Sequence, residues 1–321
     1  MNRIFTALIV FSIFTATVVA QDEAKPKAET VKFTAKKVAV GDRVLKGSKA
    51  KSAMNMNMSM GEMGEQEMNQ GLNGSETKTV TILEVKDDKV TKFSVEYREM
   101  KAETSMESPM LPEPMIEDPM AAFDLAGNTY TYTIADDGVK VVDSKGEALP
   151  DDKAKLLTEL ETPGGKFGAW NPNAAEMFTK REITIGETVV IPKEKAMSLL
   201  PSPELLGKST SFKCEATLVA KKNVFGVACG VFDIVMAVEG EPKMPGGDLP
   251  GMVANMTLKL TGSITIGVDN MWIYAAKTTG PVNIEASGEI QEGMNLTVTG
   301  KGTTSSDVLN VYSKAKPAEQ K

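Results

Sequence analysis

Methionine is the residue type whose clustering in this chain could do chemistry. Eleven of the twenty methionines lie between residues 54 and 120. The densest group alternates with asparagine and serine and contains Met54, Met56, Met58, Met60 and Met63. Thioethers are soft ligands that suit Cu(I), so this group is a candidate copper site. Alternate residues also share one side of a β-strand, so the same spacing predicts an apolar strand face that ends near Met60.

The two cysteines, Cys214 and Cys229, lie in neighbouring segments that both alternate apolar and polar residues. A turn over residues 220–223 would place the two cysteines directly opposite each other on the apolar side of a hairpin. We therefore predict a disulfide bond, which an oxidising compartment would preserve. The alternative is a pair of reduced cysteines that act as small core residues.

Composition excludes several classes of function. The chain has no histidine, which removes histidine acid–base catalysis, the Ser-His-Asp triad and histidine-ligated metals. Two cysteines are too few for a zinc ribbon or an iron–sulfur cluster. A net charge of −7 argues against a general nucleic-acid binder. We expect a protein that is not an enzyme and has no cofactor, with Cu(I) as the alternative.

The first twenty residues have the features of a secretory signal peptide. One arginine precedes an apolar run that ends in Val18-Val19-Ala20, and the chain then turns polar at Gln21. Small residues at these positions predict cleavage between Ala20 and Gln21, and therefore a periplasmic or secreted protein. No later segment has the length and apolarity of a transmembrane helix.

Alternation at period two dominates the rest of the chain and predicts a mainly antiparallel β fold with a few short helices. The hairpin 79–97, with its turn at 86–89, is the clearest example. One helix is expected at Asp151–Leu160, which follows Pro150 and carries leucines on one face.

Two similar segments indicate two related β-rich halves, although one large curved sheet is the alternative. Residues 38–44 and 183–189 share an alternating strand followed by Gly, an acid, a polar residue and Val. The predicted division is a flexible N-terminus 21–30, a first half 31–149 with a Met/Pro-rich loop 101–122, a helical and Gly/Pro connector 150–178, a second half 179–312 and a disordered tail 313–321.

The order of these motifs resembles a secreted bacterial β-rich family of unknown function. The resemblance rests on the strand-Gly-Asp start, the hairpin TILEVKDDKVTKFSVEY, the segment NTYTYTIADDGVKVVDSKG and the strand ITIGETV. These motifs concern folding, so the resemblance implies a fold and supplies no catalytic residue.

The sequence therefore favours a non-catalytic exported protein, acting as a binding or structural component of the periplasm or cell surface. A curved antiparallel sheet with an apolar concave face could carry a lipid or another small apolar ligand, which is an analogy at the level of fold. The alternative function is binding or sequestration of Cu(I) by the methionine cluster 54–68.

Overall fold

A computed structural model describes most of the chain. The described residues are 29–59, 64–109, 111–118, 120–168, 177–178, 180–196, 206–242, 252–291 and 294–314. The predicted signal peptide, Met60, Met63 and most of the predicted tail lie outside the described residues.

Fourteen strands and two α-helices make up the described structure. The first seven strands are β1 Thr30–Lys32, β2 Asp42–Ser59, β3 Glu65–Lys86, β4 Lys89–Glu107, β5 Met115–Glu117, β6 Thr129–Ala135 and β7 Gly138–Val142. They are followed by α1 Asp151–Glu161, β8 Glu182–Thr184, β9 Thr188–Val190 and α2 Lys193–Ala196. The last five strands are β10 Leu206–Val224, β11 Val227–Pro242, β12 Met252–Gly267, β13 Ile273–Gln291 and β14 Met294–Lys314.

One antiparallel sheet of 12 strands contains all but two of the strands. Its order is β7-β6-β4-β3-β2-β14-β13-β12-β11-β10-β9, with β5 added beside β4. The remaining strands, β1 and β8, pair in a small sheet of their own. The predicted β fold is confirmed, and it takes the form of one large sheet. The two edge strands, β7 and β9, are joined in sequence by residues 143–187, which include the predicted connector 150–178. From here on, the connector means the described residues of this segment, 143–168, 177–178 and 180–187.

Each long strand has an apolar and a polar side. The apolar face of the sheet carries the even-numbered residues of β2, β3, β11, β12 and β14, as their register shows. One solvated face and one apolar face are typical of antiparallel sheets, and they explain the alternation in the sequence. The strands run from a near end, where β2 begins and β14 ends, to a far end, where β2 ends and β14 begins.

The connector covers the near end of the apolar face. Leu157 of α1 is buried in one hydrophobic cluster with aromatic and aliphatic residues of β3, β4 and β6. Phe178 and Phe33 pack against Phe232 of β11 in a second cluster, with ring centroids 4.9 and 5.7 Å from that of Phe232. The helix predicted at Asp151–Leu160 is confirmed and extends one residue further, to Glu161.

The strands are longer than the alternation predicted. The eight longest strands span 16 to 22 residues each. β4 continues through Glu107, so the first residues of the predicted loop 101–122 belong to a strand, and β5 pairs beside them. The reason is that Met100, Ala102, Thr104 and Met106 keep the period of two on the apolar face.

Glycines allow β12 and β13 to approach each other closely. A Cβ atom on Gly262 would lie 1.8 Å from the backbone oxygen of Lys277, and one on Gly280 would lie 1.8 Å from that of Lys259. Both distances are far inside van der Waals contact, so only glycine fits at these two positions. Among the described helices, no helix has the length and apolarity needed to cross a membrane.

The predicted disulfide bond is absent. Both cysteines are free and buried, because the β10–β11 register differs from the expected one. Cys214 lies opposite Met236, whereas Cys229 lies opposite Lys222. Eight residues of β10 separate Cys214 from the partner of Cys229, or about 26 Å along the strand, far beyond the reach of a disulfide.

The two segments that suggested an internal repeat form the same local structure. Asp42 accepts a hydrogen bond from the backbone N–H of Ala39 at 2.7 Å, and Glu187 accepts one from Thr184 at 2.9 Å. In both loops the preceding glycine has a positive φ, 81° at Gly41 and 90° at Gly186. This loop begins β2 in one part of the sheet and β9 in the other, which agrees with two related halves. The duplication itself stays a prediction.

Candidate functional site

The predicted methionines lie side by side on the apolar face at the far end. Met54, Met56 and Met58 are half-buried on β2, and the residues between them, such as Asn55 and Asn57, are exposed on the polar face. The packing interpretation therefore has the expected alternation, but the side chains are half-buried rather than buried. Met56 stands directly opposite Met68 of β3.

Neighbouring strands leave room for these side chains. Gly300 of β14 pairs with Met56, and a Cβ atom there would lie 3.2 Å from Met54 Sδ and 3.3 Å from Met56 Cγ. The side chains of Met54 and Met56 therefore lie next to Gly300, which has no side chain of its own. Further along the same face, β12, β13 and β14 contribute buried aliphatic residues such as Leu258, Val282 and Val298. The methionines thus border a continuous apolar surface.

A cavity of about 330 Å³ opens beside the methionines, between β2, β3, β4 and β5. Its apolar lining comes from Met54, Leu72, Met106 and Met115. Its polar lining comes from Ser52, Gln70, Thr104, Ser105 and Glu117. This volume lies at the small end of the range for ligand pockets, roughly 300–1,000 Å³. The lining suits a ligand with an apolar body and some polar groups.

A buried ionic cluster lies on the same face toward the near end, and the sequence interpretation missed it. Lys78 Nζ lies 2.6 Å from Glu161 Oε1 and 2.9 Å from Glu76 Oε2. The hydroxyl of Tyr97 also donates to Glu161 Oε1, at 2.6 Å, and that of Tyr132 lies 3.5 Å from the Tyr97 hydroxyl. Glu161 is the last residue of α1, so the cluster joins the connector to the sheet.

Burial and charge pairing both act on this cluster. Burial alone would lower the pKa of Lys78, but Glu161 and Glu76 outweigh it and raise that pKa. Burial alone would raise the pKa of Glu76, but Lys78 and Lys46 lower it. Burial, followed by the nearby Glu161 carboxylate, raises the pKa of Tyr97 well above its usual value. At neutral pH the cluster therefore holds a charged Lys78 and an ionised Glu76 beside a neutral Tyr97.

A signal for this cluster was present in the sequence. Glu76 and Lys78 have the same parity as Val80 and Ile82, so they lie on the face that the hydrophobic alternation assigns to the core. Charged residues on such a face require partners. Those partners could not be read from the sequence, because Glu161 comes from a helix more than eighty residues away.

The structure brings some of the predicted site residues together. It groups Met54, Met56, Met58 and Met68 of the predicted cluster 54–68, to which it adds Met106, and it separates the two cysteines. Met60 and Met63 lie outside the described residues. Histidine, cysteine and acidic side chains form no group of three or more that could hold a metal within the described part of the chain.

Comparisons with known proteins give structural similarities only. No family model and no curated protein sequence matches the chain. A lipovitellin structure that concerns lipid–protein interactions is 7% identical with a TM-score of 0.38, covering 88% of this chain and 26% of lipovitellin. This chain thus spans about a quarter of that protein.

Two further structures are less similar. P47 from Clostridium botulinum A2 is 7% identical with a TM-score of 0.11, covering 84% of this chain and 82% of P47. The P. putida toluene transporter TodX is 6% identical with a TM-score of 0.12, covering 87% of this chain and 91% of TodX. Similarity at these scores does not define a common fold, so the function has to follow from the residues of this chain.

Proposed function

We propose that this protein is an exported, non-catalytic binding protein for an apolar, lipid-like ligand. The observation that carries the proposal is the half-buried methionine surface beside the cavity of about 330 Å³. Methionine side chains are unbranched and polarisable, so they adapt to ligands of variable shape. An extended apolar surface that is not fully buried is typical of a binding site.

Burial on the two parts of the apolar face supports the same proposal. At the near end, residues such as Phe93 and Val95 are fully buried under the connector. At the far end, Met54, Met56 and Met106 stay half-buried although they continue the same face. A ligand with an acyl chain would bury these thioethers and gain about 25 cal/mol for each Å² of apolar surface removed from water.

Binding of N-phenyl-1-naphthylamine, a neutral apolar fluorescent probe, tests the proposal. We expect Met54→Gln combined with Met106→Gln to weaken binding about tenfold, since amides replace two apolar contacts. The matched control is Ala53→Gln combined with Asn57→Gln, which alters exposed residues on the polar face of the same strand. Equal affinity of the two double variants would place the probe elsewhere and contradict the proposal.

Cu(I) binding is a second candidate function, because the register places Met56 opposite Met68 and between Met54 and Met58. Four thioethers on one face could supply the soft ligands that Cu(I) prefers. A Cu(I) competition titration decides between the two functions. Replacing all four methionines with leucine should abolish tight copper binding if the metal is physiological. Equally weak affinity of the wild type and the variant would contradict copper binding.

Export is part of the proposal and has its own test. The small residues Val18 and Ala20 end the apolar N-terminal run, so the exported protein should begin at Gln21. N-terminal sequencing of protein recovered outside the cytoplasm measures this directly. A chain that still begins at Met1 would contradict cleavage.

A further inference from the structure

The apolar face changes its chemistry in order along the β2–β3 pair. From the near end to the far end, the facing pairs are Val44 with Val80, Lys46 with Lys78, Ser48 with Glu76, Ala50 with Gly74, Ser52 with Leu72, Met54 with Gln70 and Met56 with Met68. Beyond the apolar pair Val44 and Val80, the face thus passes from charged, to small and hydroxylic, to mainly apolar. An amphiphile has the same order of groups along its length.

Lys46 is the cation of the ionic cluster with the weakest pairing. Its Nζ lies 3.9 Å from Glu76 Oε1, whereas Lys78 has carboxylate oxygens at 2.6 and 2.9 Å. The Lys46 side chain is 13% exposed, against 4% for Lys78. Burial, followed by repulsion from Lys78, lowers the pKa of Lys46. A buried ammonium with one long ion pair is costly, and a second anion would offset that cost.

β14, which pairs with β2 on the side away from β3, provides an independent observation about the surroundings of Lys46. Asn310 of β14 pairs with Lys46 and is buried, and its Oδ1 atom has no hydrogen-bond partner among the residues that the structure describes. Its Nδ2 group donates to the backbone oxygen of Ile273 at 2.9 Å. The Lys46 ammonium therefore does not use the neighbouring amide oxygen. Within the described part of the chain, its one ion pair is that with Glu76 of β3, at 3.9 Å, which leaves room for a further acceptor.

Next to Lys46, the small side chains of the apolar face leave a partly exposed space on the sheet. Toward the far end, the same face carries Ser48 and Ala50 on β2, Gly74 on β3 and Ser306 on β14. Ser48 and Ser306 add hydroxyl groups to this space. Met54 lies six positions beyond Ser48 on β2, or about 20 Å along the strand. One acyl chain occupies about 15 Å, half of a bilayer's hydrocarbon core, so a chain whose head lies beside Ser48 ends about 5 Å from the Met54 position, within reach of the Met54 side chain.

We propose that Lys46 binds the anionic head of a single-chain amphiphile, with a carboxylate as in a long-chain fatty acid, whose chain extends along the apolar face toward Met54. This inference rests on the proposed function and names its ligand class. A charge-assisted bond from the ammonium to the head selects an anion, and the methionine surface accepts chains of variable shape. Lys78 does not take part, because Glu76 and Glu161 already satisfy it.

The test measures binding of palmitate, its methyl ester and lysophosphatidic acid by competition with N-phenyl-1-naphthylamine. We expect wild type to prefer palmitate to the ester by about tenfold, and Lys46→Gln to remove this preference while the ester binds as before. Lys46→Arg should keep the preference and shows that the site tolerates substitution. Lys49→Gln, an exposed lysine of the same strand, is the matched control and should change nothing.

The outcomes separate the two proposals. Equal binding of palmitate and its ester to wild type would overturn the role of Lys46 and leave the apolar site standing. No displacement of the probe by either compound would overturn the proposed function itself. Lysophosphatidic acid distinguishes head groups: if Lys46→Gln weakens it and leaves palmitate unchanged, the head is a phosphate and the carboxylate assignment is wrong.

Discussion

The near and far ends of the apolar face are built by the same long strands but differ in what surrounds them. At the near end, aromatic rings and an ionic cluster are locked under the connector, and Phe93 stacks on Tyr132 with centroids 4.7 Å apart. At the far end, thioethers such as that of Met54 remain half-buried beside a cavity. Within one sheet, the near ends of the strands therefore form a buried core, whereas the far ends of the same strands keep a partly exposed apolar surface.

The largest loss of stability is expected from a substitution at the near end. Glu161→Gln removes the carboxylate that Lys78 and Tyr97 share, and breaking a buried ion pair costs about 3–5 kcal/mol of the free energy of unfolding. Urea denaturation at neutral pH measures this cost. Glu159→Gln, on the exposed side of the same helix, is the control and should stay close to wild type. Equal midpoints for the two variants would show that the connector is not held by this cluster.

Two methionine-to-alanine substitutions compare the core of the sheet with the proposed binding surface. Met236→Ala removes a fully buried side chain of β11 and should cost about 2–5 kcal/mol. Met56→Ala removes a half-buried one and should cost about 1 kcal/mol, because less apolar surface is lost. Both free energies come from the same urea titration. A cost for Met56→Ala as large as that for Met236→Ala would mean that the far end is core rather than a ligand surface.

The close approach of β12 and β13 predicts an intermediate loss of stability when one of the glycines between them is replaced. Gly280→Ala would place a methyl group against the backbone of Lys259, and overpacking of this kind costs about 1–3 kcal/mol. Gly47→Ala is the matched control, because the nearest atom to its new Cβ would lie 4.0 Å away. Thermal or urea unfolding of the two variants checks the difference. A neutral Gly280→Ala would contradict the strand spacing described above.

The last prediction concerns the reactivity of the two thiols, and it involves no change in stability. Burial raises the pKa of Cys214 to about 12 and that of Cys229 to about 11. Since only the thiolate reacts, neither cysteine of the native protein should be labelled quickly by a thiol reagent at pH 8. Two thiols should react in denaturant without reductant. If none reacts in denaturant, the cysteines are bonded and the described β10–β11 register is wrong.

Local signals in the sequence predicted the local structure well. The hairpin turn at Asp87 and Asp88 has both residues at positive φ, as a tight primed turn requires, and the flanking charges and alternation had placed it. The helix after Pro150 also follows from its sequence. Pairing between distant strands was not accessible, because alternation determines which side a residue faces but not which strand lies beside it.

The cysteine hairpin shows how alternation can mislead. Near the turn, β11 has apolar residues on both of its sides, with Cys229 and Val231 on one side and Gly230 and Phe232 on the other. The pattern therefore allows more than one register. The actual turn lies at Phe225 and Gly226, both at positive φ, and a bulge between Leu218 and Ala220 shifts the pairing along β10. Neither feature has a distinct sequence signal, since phenylalanine is unusual at such a turn.

The pairing of β2 with β14 has a consequence for how the protein folds. These strands come from near the two ends of the described chain, yet they pair along their whole length in the middle of the sheet, from Asp42 with Lys314 to Ser59 with Thr297. Closing so long a loop is entropically costly and slow. Two groups of hairpins can form early, one on each side. The apolar face becomes continuous only when the last strand arrives, so a ligand that spans the seam can bind only the completed chain.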